Sequence, residues 1–493
     1  MLAPNEQLRA ARRRKRWSQQ RAAEEIGIDR KTYLRLETSQ TYPQPGTLDL
    51  ICSAFGLSAG DLGFESTQHS GSRAMVQITD VAPATLTLLV ETNDMPDFPI
   101  KVSMILAHIM HMIGAWSAQA PRWHEIQSVV NGEICMLDEM LQQQPRRNEH
   151  LLSRRQALAT LAALPTALLA RKFPGQMTEQ TMGSYSFDLL SPCAASLTAC
   201  WHLLKSDDLV AVAQILPQYM PALTALAGQP SLHQQAAAAL AVQGNILQAI
   251  VTMHQRKGAE RERHCREAVR CGYLSHNGTL TATALMYLGY TYSSSVRPRR
   301  PEQAIHAFRE ALQMLGGEES LLRSDILMGL AEACAQCHDE AKALEYMALA
   351  QNHFPTYPEA DPSYIYAECG LNTLYQWEGK MYLELAERYP QRDHAQRAWN
   401  ALARSTGIQS INGRSSSETM LYQADAARLR GDLTTYTDHL RDGLRMALSL
   451  GSRQRYDEAV EIYRKAPEPW LKEPAIKGLA KDFFRELPVG KGT

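Results

Sequence analysis

The sequence predicts an all-α protein, a small five-helix head followed by a helical solenoid. Three features predict it. Residues 17–37, "WSQQRAAEEIGIDRKTYLRLE", read as two short amphipathic helices around a glycine turn. From about Gly183 onward, helix follows helix with small residues at recurring places. The composition, 45% apolar and 21% charged over 493 residues, supplies a large core and more chain than one simple domain uses.

In the head, Ser18 stands as the N-cap of a helix whose inner face is Ala22, Ala23 and Ile26. Gly27 ends that helix, because left-handed backbone costs glycine little. Asp29 caps the next helix, which turns Tyr33 and Leu36 inward and Arg30 and Lys31 outward, with Arg35 further along the outer face. The net charge of -1, from 51 basic and 52 acidic residues, hides a local bias. Residues 1–45 hold ten Lys/Arg against five Asp/Glu, and six of the eight residues from Arg9 to Arg16 are basic. Two short helices around such a turn form a helix-turn-helix candidate, whose second helix fits a DNA major groove. The basic run beside it, Arg13 and Arg14 included, suits phosphates.

The ordered set Ser18-Gln19, Ala23, Gly27-Ile28, Thr32, Arg35, Glu37 and Pro43 resembles the Cro/phage-repressor, or XRE, helix-turn-helix family. A following helix with Leu48, Ile51, Ala54, Phe55 and Leu57, closed by "SAGDLGF", completes the resemblance over residues 1–64, about an eighth of the chain. Ala22 stands where that family usually has leucine and Ser39 where it usually has glycine, so the turn after Glu37 is expected to differ. The resemblance implies double-stranded DNA as partner, with Gln19 on a phosphate or the nearest base edge and Thr32 in the same interface. Arg30 and Lys31 open the recognition helix. Arginine grips guanine O6 and N7 bidentately and lysine acts as a point donor, while phosphate neutralisation alone is the simpler alternative for both and for Arg35.

Residues 65–98 read as a linker that begins with the polar "ESTQHSGSRA". Residues 99–145 turn helical, with Ile100, Met104, Ala107, His108 and His111 at three- and four-residue steps and a second helix over about 122–141. This pair suits a bridge or dimerisation element. His108 and His111, with Cys135 further on, sit on a Met-rich face where core or interface histidines are the expectation, and no metal site is assigned. "QQQPRRNEH" at 142–150 reads as another linker. The apolar stretch "ALATLAALPTALLA" at 157–170 is too short to span a bilayer and contains Pro165, so a buried or amphipathic helix is expected.

Residues 151–487 carry the repeats. Leu285-x-x-Leu288-Gly289-x-x-Tyr292 precedes Ala304-x-x-x-Phe308-x-x-Ala311. A second unit has Leu327-x-x-Leu330-Ala331-x-x-Cys334, then Ala343-x-x-x-Met347-x-x-Ala350, and a weaker third has Gly379-x-x-Tyr382, then Ala395-x-x-x-Trp399. These resemble tetratricopeptide (TPR) repeats, in which small residues let two antiparallel helices approach closely. The spacing of about 40 to 50 residues exceeds the usual ~34, so extended loops are expected. Stretches 193–227, 236–271 and 418–450 read as degenerate units, and "PWLKEPAIKGLAKDFFREL" as one capping helix.

Cys334-Ala335-Gln336-Cys337-His338 matches a c-type haem attachment sequence, but Cys334 falls on the small-residue seam and a buried structural thiol is expected instead. Nine cysteines, an odd number spread along the chain, read as reduced thiols, and the charged N-terminus carries no signal-peptide core, so a cytoplasmic chain off the membrane is expected. No phosphate-binding loop, dinucleotide fingerprint, nucleophile elbow or zincin motif appears, which argues against an enzyme and for no cofactor.

A head of this kind before a TPR array resembles the peptide-sensing quorum regulators of Gram-positive bacteria, the RRNPP group. That likeness implies a homodimer whose concave groove takes a signalling peptide. Mapping the clearest units onto such a groove points Met286 and Tyr290, Met328 and Glu332, and Gln376 and Lys380 into it, with Asn372 nearby. Met and aromatic side chains suit apolar parts of a ligand, and Glu332, Gln376 and Asn372 its amides or termini. The second reading is a DNA-tethered scaffold whose array recruits a protein partner without a small effector.

Overall fold

The computed structural model describes residues 6–37, 45–62, 123–142, 154–167 and 179–483, apart from positions 16, 29, 56, 58–61, 317–319, 362, 365–368 and 409–411. Among these residues the structure is all-α, with no strand. It divides into two compact units, Met1–Leu88 and Leu89–Thr493.

The head contains α1 (Glu6–Arg14), α2 (Gln19–Ile26), α3 (Arg30–Glu37) and α4 (Pro45–Phe55). The local rules hold where they are visible. Ser18 Oγ accepts from the Arg21 N–H at 3.1 Å, and Gly27 adopts φ 81°. With that turn the Gly27 and Ile28 N–H groups reach back to the Glu24 and Ala23 carbonyls, so the last turn of α2 keeps its acceptors occupied. Leu8, Ala11, Ala22, Ala23, Ile26, Tyr33, Leu36, Ile51, Phe55 and Leu62 form one buried core. Asp29, Ser39, Pro43 and most of the expected fifth helix lie outside the described residues.

The body opens with α5 (Trp123–Gln142) and α6 (Arg154–Ala162), which both pack on the long helix α7 (Glu179–Lys205). α6 buries Ala157, Leu158, Leu161 and Ala162 and is interrupted at Ala163, close before Pro165, which brings no N–H to the ladder. The helix expected over 99–120, with His108 and His111, lies outside the described residues, as does the linker 65–98.

After α8 (Leu209–Gly228) the chain runs in helical hairpins. They are α9 (Gln234–His254) with α10 (Gly258–Ser275), α11 (Gly278–Tyr290) with α12 (Pro301–Met314), and α13 (Ser320–Gln336) with α14 (Glu340–His353). Next come α15 (Leu371–Arg388) with α16 (His394–Thr406) and α17 (Gly413–Leu429) with α18 (Leu433–Ser449), then α19 (Arg453–Arg464). The leading helices start at intervals of 40 to 51 residues, close to the spacing of the sequence pattern.

The seam explains the glycines. A Cβ on Gly289 or on Gly329 would lie 2.6 Å from Phe308 Cε1, so two bare glycines admit one ring between consecutive hairpins. In the third unit the register differs from the sequence expectation. Ala395 and Trp399 are half-buried, while Ala398, Leu402 and Ser405 are buried. Leu402 takes the place of Phe308, with its Cγ 2.5 Å from where a Gly379 Cβ would stand. The inward positions therefore sit three residues later than predicted. The single capping helix is also corrected. α20 (Glu468–Leu471) and α21 (Pro474–Phe483) are separate, because Pro474 cannot continue a preceding helix. Ile476 and Leu479 of α21 still cover the apolar end of the last hairpins.

α8 and α9 are long and apolar enough to cross a membrane, though the apolar stretch of α9 is 83% buried inside the body. The nine cysteines are free thiols. Cys334 is buried, which pushes its thiol up to about 11. Cys135 is exposed on α5.

The array curls until its last hairpins meet its first. His254 Nδ1 meets Ser452 Oγ at 2.8 Å. Arg256 donates to Gln454 at 3.0 Å and pairs with Asp457 at 3.2 Å. Asp207, in the turn between α7 and α8, pairs with Arg414 at 2.9 Å and accepts the Gly413 N–H at 2.7 Å. The body is a closed curl rather than an open solenoid.

Candidate nucleic-acid interface and inner chamber

Helix α3, the second helix of the turn, is fixed from beneath by a charged cluster. Glu37, at its C-terminal end, is fully buried. Arg12 of α1 donates to it from Nε at 2.6 Å, and Gln19 of α2 from Nε2 at 2.9 Å. Arg12 also donates to the Trp17 carbonyl at 2.9 Å. Burial alone would raise the Glu37 pKa, but hydrogen bonds from Arg12 and Gln19 hold the carboxyl below its ordinary value. Three helices thus meet on one carboxylate, and their outward faces have fixed relative positions.

On those faces Arg13 and Arg14 are exposed at the end of α1, and Arg30 is exposed at the start of α3. Thr32 is half-buried. Leu34 is exposed on α3, while Tyr33 and Leu36 point into the core as predicted. Lys31 and Arg35 lie on α3, but their side chains lie outside the described residues. Gln19 is half-buried and its amide is engaged by Glu37, so its nitrogen anchors the helix pair and its oxygen is the part left for a phosphate or base edge. Sequence reasoning missed the role of Arg12, since 25 residues separate it from Glu37 and no local spacing rule joins them.

This geometry yields a graded expectation. Arg30→Ala should cost about 1–3 kcal/mol on the best DNA site and relax preference at one base position. Arg13→Ala should weaken binding to every sequence and lower the slope of log K against log salt by about one. Fluorescence anisotropy over a salt series, on the selected site and a scrambled duplex, separates the two.

A chamber of about 170 Å³ opens inside the curl of the body. Four of the predicted groove residues, Met286, Tyr290, Gln376 and Lys380, line it. Met328, Glu332 and Asn372 are buried but are not part of its lining. Tyr290 also serves the fold. Its ring stacks on Trp377 at 4.8 Å, and its hydroxyl donates to Asp325 Oδ1 at 2.5 Å. Lys380 pairs with Glu332 at 2.8 Å over the Trp377 ring, and Gln376 Oε1 accepts from Ser415 at 3.0 Å.

Arginines that the sequence reading did not single out complete the wall. Arg455 pairs with Glu418 at 2.7 Å and Glu458 at 2.6 Å. Arg414 donates to the Leu204 carbonyl at 2.9 Å and to His254 Nε2 at 3.5 Å. Since arginine only donates, His254 carries its proton on Nδ1, toward Ser452. Burial, then the charges of Arg414, Arg455 and Arg261, hold the His254 pKa well below its ordinary value, so the ring is neutral.

No curated protein matches the chain. Residues 8–62 match the family model described as Helix-turn-helix, of the XRE type, and the head that Arg12, Gln19 and Glu37 hold together is accordingly the DNA-binding domain of a transcription regulator.

Proposed function

We propose that the protein is a ligand-gated transcription regulator. The head, residues 1–64, reads double-stranded DNA sequence-specifically. Residues 65–98 link it to a dimerisation element at 99–145, and the TPR-like body at 151–487 senses a small ligand, a signalling peptide or a molecule of comparable polarity. A homodimer fits this head, since two heads read half-sites about one helical turn apart and a lone head of this size has limited contact area. The observation that carries the sensor reading is the chamber, where Met286 and Tyr290 of α11 and Gln376 and Lys380 of α15 line one space.

Genome-wide mapping of bound DNA, with and without culture supernatant, tests the reading. Occupancy should change with supernatant in the wild type. It should stay fixed in a Tyr290→Phe, Gln376→Ala double variant whose effector-free DNA affinity is unaltered. Phenylalanine is used because Tyr290 is packed between Phe308 and Trp377, and truncation there would open a hole. An unaltered response in the double variant would move the sensor elsewhere. Occupancy indifferent to supernatant, with a stoichiometric protein copurifying, would favour the scaffold reading.

A further inference from the structure

Burying a guanidinium costs several kcal/mol unless a carboxylate and hydrogen bonds repay it. The chamber's other cations meet that condition. Lys380 has Glu332, Arg414 has Asp207, and Arg455 has Glu418 and Glu458. Arg261 does not. It is 3% exposed and lines the chamber. Its Nε donates to Thr291 Oγ1 at 2.9 Å and its Nη1 to Ser295 Oγ, both on the short π turn after α11. Among the described residues no carboxylate pairs with it, and its further polar neighbour is the Cys265 thiol.

We propose that the chamber binds a small molecule bearing a single carboxylate, held by Arg261, with a flat apolar body against Met286 and Trp377. This rests on the sensor reading and names the chemistry of its ligand. A phosphate dianion would face Asp325, Glu418 and Glu458, which share the lining. Size limits the body. A dry cavity of about 150 Å³ holds benzene, so a chamber of about 170 Å³ holds roughly one ring and its carboxylate.

The test uses the full chain and three probes of one shape, benzoate, benzamide and phenyl phosphate, by isothermal titration and thermal midpoint. Benzoate should bind saturably at millimolar concentration or below, at least about tenfold tighter than the other two. Arg261→Gln should weaken benzoate by about tenfold or more and leave benzamide unchanged. Arg261→Lys, which keeps the charge and loses the fork, should fall between and serves if the glutamine variant does not fold. Absence of benzoate binding, equal binding of benzamide, tighter binding of phenyl phosphate, or wild-type benzoate affinity in the variants would each overturn the proposal. Benzoate that binds through Arg261 without altering DNA affinity would support the site and remove the sensor reading, so the two fail separately.

Discussion

Replacing Glu37 by alanine is expected to abolish DNA binding by unfolding the head. The substitution leaves Arg12 with an uncompensated charge and frees the Gln19 amide beside a carboxylate-sized hole. Removing one partner of a buried pair costs about 3–5 kcal/mol, and a domain of this size holds only about 3–9 kcal/mol in total. Hydrogen exchange of peptides from α1 to α4 in the full chain should lose protection while the body keeps it, and an unchanged pattern would refute the role given to Glu37. Glu37→Gln, which retains shape and one acceptor, should be milder. The same carboxylate sets a pH window. Its folded pKa lies below the ordinary 4.5, so the unfolded head binds the proton more readily. The contribution is full above about 4.5 and is lost as pH falls through the depressed folded value. Head protection should therefore fall over that acidic window in the wild type, and the glutamine variant should lack that component.

The head was legible because its signals are local. Ser18, Gly27, the Ala22–Ile26 face and the Tyr33–Leu36 face each obey rules spanning a few residues, and each stands in the structure as read. The hairpins were legible where a glycine met a ring, as at Gly289 and Phe308. They were misregistered where leucine replaced the ring, since Trp399 is the larger apolar residue and Leu402 the one that fits against Gly379. Pro474 marks the break in the last helix, although the apolar spacing continues past it and imitates one helix. What no local pattern encodes is pairing across distance. Arg12 with Glu37 is one case, and the curl that brings Asp207 to Arg414, 207 positions away, is the larger one.

Asp207→Ala is expected to destabilise the body by about 3–5 kcal/mol, because the buried Arg414 loses the carboxylate that pairs with it at 2.9 Å. Asp207 also holds φ 62°, so alanine adds left-handed backbone strain that asparagine largely avoids. Asp207→Asn should therefore cost less, and the difference separates strain and hydrogen bonding from charge. Combining Asp207→Ala with Arg414→Met should recover part of the loss, since an apolar pair leaves no charge stranded. Urea midpoints of the full chain, with the slope checked for a lost two-state transition, measure all four proteins. A loss under about 1 kcal/mol in Asp207→Ala would mean that the contact is incidental.

An open stack of hairpins has free boundaries, and thermal opening begins at whichever end has a neighbour missing. The contacts of His254 and Arg256 with Ser452, Gln454 and Asp457 give this stack something close to a periodic boundary. In such a ring the small rotations from one hairpin to the next must add to a full turn. A change of tilt at any one hairpin cannot be relieved at a loose end and becomes a misfit at the seam. Every leading helix that faces the chamber is geometrically tied to the turn at Asp207, however far along the chain it lies.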